Sequence, residues 1–122
     1  MSMAFGPYSP VRQAGNFWFV SGQVGVNPTT KAAAPNVSEQ AYQSLANIKN
    51  LLAQEHLTMD DIVKTTIFVT NIEDFVAVNN VYEQFFKQPR PARSMTQVAA
   101  LPKVAGDTVL LVEIEAVAYK GQ

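Results

Sequence analysis

The sequence contains no cysteine and a single histidine, His56. Without cysteine the chain can form no disulfide, thiolate ligand or thiol nucleophile. With one imidazole it also lacks the parts of a histidine-rich zinc site, a Ser-His-Asp triad or a Cys-His pair. A metal held by carboxylates alone is the only metal site that these residue types leave open.

Charge is also scarce, since charged residues make up 16% of the chain and the net charge is −1. The only basic cluster consists of Lys87, Arg90 and Arg93, which is too sparse to follow a phosphate backbone. Nucleic-acid binding is therefore disfavoured. The low charge, together with 48% hydrophobic residues, indicates that another subunit covers part of the surface.

Long apolar runs are missing, and residues 1–6 contain no cationic segment followed by an apolar stretch. We therefore expect no membrane association and a cytoplasmic location. The 122 residues fit a single domain over positions 1–122.

Hydrophobic periodicity and turn residues predict the element order β-β-α-β-α-β-β. We expect strands at 8–13, 17–21, 62–70, 93–99 and 108–118, with a loop over 22–35. A capping box of Asn36 and Glu39 opens the first helix, which should run to about position 56. Asn71 should cap the second helix, which we expect to end near Lys87 with the apolar stripe Phe75, Val78, Val81 or Tyr82, and Phe85.

Two helices and five strands predict an α+β domain of two layers, with both helices on one face of a mixed or mostly antiparallel sheet. Both faces of that sheet should be apolar: Phe17 and Phe19 oppose Trp18 and Val20, and Val63 and Ile67 oppose Ile62 and Phe68. A sheet that is apolar on both faces must be covered twice. Because this chain has no third layer, we expect a homo-oligomer.

The last strand separates an apolar face from one that carries two carboxylates. Alternation places Leu110, Val112, Ile114, Ala116 and Ala118 on the core face, and Leu111, Glu113, Glu115 and Val117 on the other. The two glutamates either line a polar pocket or simply pair with neighbouring bases, and their spacing does not choose between these alternatives.

Arg93, in Pro91-Ala92-Arg93-Ser94, is a candidate carboxylate clamp. A guanidinium is always charged and presents its donors in a planar fork that matches a carboxylate. Paired with Glu113 as the acid–base group, it would suffice to hydrolyse a small amino or imino acid. A surface or salt-bridged arginine is the alternative.

Six segments occur in the order seen in the YjgF/RidA family, and the chain resembles that family over essentially its whole length. The segments are Gly6-Pro7-Tyr8-Ser9, Phe19-Val20-Ser21-Gly22-Gln23, Val63-Lys64-Thr65-Thr66, Val78-Asn79 with Tyr82, Pro91-Ala92-Arg93-Ser94, and Val112-Glu113-Ile114-Glu115-Ala116. The Pro-Ala-Arg-Ser and Glu-Ile-Glu segments are the specific part of the resemblance.

The resemblance implies a chorismate-mutase-like fold and a homotrimer with active sites between subunits. It implies cofactor-independent, metal-free hydrolysis of enamine and imine acids (2-aminoacrylate, 2-iminobutanoate and 2-iminopropanoate) to 2-oxo acids and ammonia. Arg93 would bind the substrate carboxylate, and Glu113 would hold the attacking water. Tyr8, Ser21, Gly22 and Asn79 match the family's other pocket positions, and Glu115 is assigned to interface pairing.

Met95 stands where many imine deaminases of this family carry cysteine, so it is expected to affect pocket size and substrate binding. Segment 87–90 is shorter than usual and 104–110 is longer, which leaves room for another preference, such as an aminomuconate-like acid. Two other functions stay open. One is a non-catalytic module that binds 2-oxo acids. The other is an endoribonuclease or translation inhibitor, which the scarce positive charge and the missing histidine pair disfavour.

Overall fold

The computed structural model describes residues 5–121 and confirms the predicted order of elements. The strands are β1 Val11–Ala14, β2 Phe17–Val24, β3 Ile62–Val69, β4 Ala92–Gln97 and β5 Val112–Tyr119. The helices are α1 Val37–Gln54 and α2 Phe75–Tyr82, and short 3-10 turns at Met59–Asp61 and Ile72–Asp74 precede β3 and α2.

The strands form one mixed sheet in the order β1-β2-β5-β3-β4. Neighbours are antiparallel except for β3 and β4, which are parallel and therefore need the crossover through α2. Both helices contribute to one hydrophobic core with the same side of the sheet. The expected two-layer α+β architecture is correct.

The core forms where the apolar stripe of α1 meets the sheet. Leu45, Ile48 and Leu52 are buried there against Val112 and Ile114 of β5. The predicted cap is present, because the Asn36 side chain accepts a hydrogen bond from the Glu39 N–H at 2.9 Å and its amide donates to the Glu39 carboxylate at 2.7 Å. The first bond satisfies a backbone N–H that the first turn leaves open, and the second joins the two side chains.

Gln40 ties α1 to two loops. Its amide nitrogen donates to the carbonyls of Ala34 and Val109, each at 3.1 Å, and its side-chain oxygen accepts from the Leu111 N–H at 2.7 Å. Gly25 lies directly against this turn of α1. The buried amide thus fixes the chain that enters β5.

The structure corrects the predicted boundaries of four strands. β1 begins at Val11 rather than 8, because Pro10 has no N–H for a ladder. β2 continues through the expected loop to Val24. β4 spans Ala92–Gln97 rather than 93–99, and β5 begins at Val112 rather than 108. Leu110 consequently lies outside β5, in a small cluster with Val24 and Val26.

The second helix is shorter than predicted and ends at Tyr82. Tighter turns follow it, with the Gln84 N–H bonded to the Val81 carbonyl and the Phe85 N–H to the Tyr82 carbonyl. Phe85 therefore lies beyond the helix, and Lys87, expected near its end, forms a 3.4 Å salt bridge with Asp60. The following prolines disfavour helix in the residues before them.

Two irregularities shift the strand register, in β2 between Val20 and Gln23 and in β3 between Ile62 and Lys64. A bulge adds one residue to a strand and changes which side chains share a face. Ile62 is therefore buried in the core together with Ile67, whereas Val63 is 45% exposed. The predicted pairing of Val63 with Ile67 on one face was wrong.

We call the side of the sheet opposite the helices the outer face. On β2 the two pairs lie on opposite faces as predicted. Trp18 and Val20 pack towards the core, and Phe17 and Phe19 lie on the outer face, 42% and 46% exposed. The Phe17 ring contacts Tyr119 of β5, with centroids 5.0 Å apart. No helix within residues 5–121 is long and apolar enough to cross a membrane.

Candidate active site

Arg93 lies on the edge strand β4, opposite Thr65 of β3 in the parallel register. Its side chain points towards the helix layer, where the guanidinium carbon is 4.9 Å from the centroid of the Tyr82 ring and 5.6 Å from that of Phe75. Both distances lie within the range of cation–π attraction. Two aromatic rings of α2 therefore hold the guanidinium.

No carboxylate neutralises Arg93 within the described chain, where the sole salt bridge joins Lys87 and Asp60. Arg93 opens into a cleft of about 340 Å³ lined by Asn79, Tyr82, Glu83, Arg90, Pro91 and Arg93. The Asn79 side-chain oxygen is buried and has no hydrogen-bond partner among residues 5–121. The Arg93 cleft therefore offers a fork of cationic donors, and one of its lining residues carries a buried acceptor without a partner.

Met95 lies two residues beyond Arg93 on β4 and packs against the hydrophobic core. It is half-buried, and it is not among the side chains that line the Arg93 cleft of a single chain. In one subunit Met95 therefore contacts the core rather than the cleft, and its predicted role in substrate binding stays a prediction.

Glu113 lies on the outer face, between Val24 of β2 and Phe68 of β3. The side chain is half-buried, and this burial raises the pKa of the carboxyl above its usual value. The neighbouring negative charge of Glu115 raises the pKa further. A carboxyl group with a raised pKa is suited to exchanging protons closer to neutral pH.

Gly22 leaves the space that the Glu113 side chain occupies. A Cβ placed at Gly22 would lie 2.7 Å from the carboxyl carbon and 2.9 Å from the Cγ of Glu113. Such distances are too short for non-bonded carbons. The glycine predicted as a pocket position therefore lets the carboxylate pass over the bulged backbone of β2.

Tyr8 and Ser21 line a second cleft on the outer face, of about 350 Å³, together with Arg12, Phe19 and Glu115. The Ser21 hydroxyl donates to the Ser9 carbonyl at 2.7 Å, which ties the segment before β1 to β2. The Tyr8 hydroxyl accepts a 3.3 Å bond from the Phe5 N–H. Four of the predicted site residues thus lie near one another on this face: Tyr8, Ser21, Gly22 and Glu113.

The structure divides the predicted site into two groups on opposite faces of the sheet. Arg93 and Asn79 lie on the helix side at the β4 edge, and Glu113 lies on the outer face of β5. Strand β3 separates the two strands. A single chain therefore cannot place the arginine and the glutamate on one small substrate.

The sequence interpretation placed Phe75 and Tyr82 in the apolar stripe of the second helix, and Thr65 and Tyr82 in the family segments. It assigned none of the three a role in the site. A signal was present, because Phe75, Asn79 and Tyr82 occur at positions i, i+4 and i+7 of one helix and so share a side of it. Within residues 5–121, no group of three or more histidine or acidic residues could hold a metal ion.

Comparison with known proteins gives consistent matches over the whole chain. A family model described as endoribonuclease L-PSP matches residues 1–120. A RutC family protein of Haemophilus influenzae is 46% identical over 121 residues, covering 96% of this chain and 89% of that protein. A 2-iminobutanoate/2-iminopropanoate deaminase of Salmonella typhimurium is 44% identical over 120 residues, covering 96% and 90%.

A solved structure shows the same fold. The crystal structure of RidA from an Antarctic Psychrobacter species superposes with a TM-score of 0.90 at 36% sequence identity, covering 97% of this chain and 92% of that one. The similarity thus extends across the sheet, both helices and the loops that carry the candidate site.

Proposed function

Because this chain belongs to the endoribonuclease L-PSP family, which includes the RidA and imine deaminase relatives, we propose that it hydrolyses small 2-imino acids to 2-oxo acids and ammonia. The expected substrates are 2-iminobutanoate, 2-iminopropanoate and the enamine 2-aminoacrylate, which is a tautomer of 2-iminopropanoate.

The observation that carries the proposal is the unneutralised Arg93 guanidinium. It is held by two rings, and the cleft that it lines is also lined by Asn79, whose buried side-chain oxygen has no partner among residues 5–121. A planar carboxylate can accept two parallel N–H bonds from such a fork. The Asn79 oxygen then offers an acceptor for an N–H or O–H of the same small ligand.

Glu113 supplies the proton transfers. As a carboxylate it takes a proton from water while the water oxygen bonds to C2 of the iminium acid, which gives a carbinolamine. The carboxyl then returns that proton to the amino nitrogen. The C2–N bond breaks with its electron pair on nitrogen, and ammonia leaves. The carbinolamine hydroxyl gives its proton to the Glu113 carboxylate as the 2-oxo group forms, and that proton then passes to ammonia or water. An iminium carbon is already electrophilic, so orientation and a proton route are the main requirements.

We further propose a homotrimer in which the Arg93 cleft of one subunit faces Glu113 of the next. Two features support this arrangement: the separation of the two groups within one chain, and the exposed aromatic rings on the same outer face as Glu113. In an assembly with cyclic symmetry the same contact repeats at each interface, which gives as many sites as subunits.

A coupled assay tests the proposed activity. A threonine dehydratase releases 2-iminobutanoate, and its conversion to 2-oxobutanoate is followed with and without this protein at a pH where spontaneous hydrolysis is slow. We expect catalytic amounts of the protein to speed 2-oxobutanoate formation, and the Arg93→Ala variant not to. Binding of 2-oxobutanoate without any acceleration would instead identify a non-catalytic binding module.

A further inference from the structure

We infer that Tyr82 is the positioning residue for Arg93. In this arrangement Thr65 fixes the Tyr82 ring, and the ring holds the guanidinium so that its donors face the cleft. The inference rests on the proposed function, because it assigns to Arg93 the task of binding a carboxylate.

The contacts form a chain from the core to the cleft. Thr65 and Tyr82 are 1% and 5% exposed, and their hydroxyl oxygens are 2.7 Å apart, close enough for a hydrogen bond. The same Thr65 is the direct neighbour of Arg93 across the β3–β4 ladder. A buried hydrogen bond and a strand register therefore fix the ring relative to the backbone that carries the arginine.

A ring suits this purpose better than an acidic residue would. A carboxylate beside Arg93 would neutralise its charge and occupy the donors that a substrate carboxylate needs. An aromatic face attracts the cation through its quadrupole and leaves the in-plane N–H groups free. Without such a support, a half-buried arginine on an edge strand would keep several rotamers and would lose that freedom on each binding event.

Tyr82 also packs in the core, since its ring centroid is 4.5 Å from that of Phe86. A test must therefore separate the support of Arg93 from ordinary packing. Tyr82→Phe keeps the ring and loses the hydroxyl, whereas Tyr82→Leu loses both. Phe86→Leu is the matched control, because it removes a buried ring of the same cluster that has no described contact with Arg93.

Two readouts apply to each variant. The first is the mobility of the Arg93 side chain, measured by nuclear magnetic resonance relaxation of its Nε–H group. The second is the affinity for 2-oxobutanoate. We expect an ordered Nε–H and near-normal affinity in Phe86→Leu. In Tyr82→Phe, which keeps the ring but loses the hydrogen bond to Thr65, we expect changes in both readouts that are smaller than those in Tyr82→Leu. In Tyr82→Leu we expect a mobile Nε–H and about tenfold weaker binding, the size of a partly desolvated cation–π contact.

The outcomes distinguish this inference from the proposed function. If the wild-type protein neither binds 2-oxobutanoate nor speeds imine hydrolysis, the proposed function fails, and Arg93 mobility still decides whether Tyr82 holds the side chain. If the wild-type protein is active but Tyr82→Leu leaves Arg93 ordered and binding unchanged, the positioning role alone is overturned. Equal losses in Tyr82→Leu and Phe86→Leu would also overturn it.

Discussion

Arg93 and Glu113 differ in what surrounds their charges. Aromatic rings hold Arg93, while Glu113 is partly desolvated next to another carboxylate. Within residues 5–121 neither charge has an ion-pair partner. Both groups therefore keep the capacity to bind a ligand or to transfer a proton, and substitutions at each position should have different consequences.

Arg93→Lys should lose nearly as much activity as Arg93→Ala. An ammonium cannot reproduce the planar fork, and it stacks less well between the rings of Tyr82 and Phe75. We expect a loss on the order of 3–5 kcal/mol in transition-state stabilisation, measured as kcat/KM. Arg90→Lys, in the same cleft but exposed, is the control. Full activity of Arg93→Lys would exclude a bidentate contact.

Glu113 must be ionised to act as a base, so its raised pKa should appear in the acid limb of the pH profile of kcat/KM. The midpoint of that limb should lie at a higher pH than the pKa of an ordinary glutamate, roughly 4.3. Glu113→Gln should abolish turnover. Glu115→Gln removes the smaller cause of the shift, so the limb should move to lower pH while burial keeps it above the ordinary value.

Glu55→Gln, at an exposed helix end, is the control for this pH series. If Glu113→Gln is active while Glu115→Gln is inactive, the catalytic role belongs to Glu115, two residues further along β5.

At the scale of elements, periodicity was sufficient to predict the order of strands and helices, and caps located the start of α1. It could not predict the register shifts in β2 and β3. A bulge depends on how two distant strands fit together, and alternation within one strand carries no record of it. The shift in β2 spans Ser21 and Gly22, so the missed feature lies among the site residues.

Alanine should have different effects at two nearby glycines. At Gly22 it should lower activity, and at Gly25 it should lower stability. In Gly22→Ala the new methyl meets the flexible Glu113 side chain, so we expect at least about tenfold lower kcat with little change in melting temperature. In Gly25→Ala the new methyl would lie 2.6 Å from the Gln40 Cβ and 2.7 Å from the Gln40 carbonyl oxygen, so it would meet the backbone of α1.

We expect Gly25→Ala to lower the melting temperature strongly, because a helix backbone cannot move aside without disturbing the core. Thermal unfolding and the coupled assay, run on both variants, test the pair. A Gly22→Ala variant that is as active as the wild type would show that the position of Glu113 does not depend on this space.

At the scale of the whole molecule, the sequence was least informative about which of the site residues meet. Residue types and motifs led to Arg93, Asn79 and Glu113, but which of them meet depends on the face of the sheet that each occupies. The structure places Arg93 and Glu113 on opposite faces. In the proposed assembly the two halves of the site come from two copies. The apolar alternation of the strands predicts that copies associate, but it carries no record of which residues meet across the contact.

Mixed assemblies test this arrangement. We expect light scattering to give a mass near three chains, and Arg93→Ala and Glu113→Gln each to be inactive alone. When the two variants are dissociated and reassembled together in equal amounts, about one site in four should combine an intact arginine with an intact glutamate and regain activity.

The control for complementation mixes Arg93→Ala with the double variant Arg93→Ala/Glu113→Gln, a combination that contains no intact arginine. Trimers of the two single variants that mix but stay inactive would show that both residues act from the same subunit.

Trp18 is the only tryptophan in the chain. Its side chain packs against the helix-side core, and its indole N–H is buried without a hydrogen-bond partner among the described residues. The neighbours Phe17 and Phe19 instead lie on the outer face. Intrinsic fluorescence excited at the indole should therefore follow the melting of each subunit and remain unchanged when subunits separate. A fall in the light-scattering mass on dilution, with unchanged tryptophan fluorescence, would then identify dissociation of the proposed trimer without unfolding, and no dye need be attached.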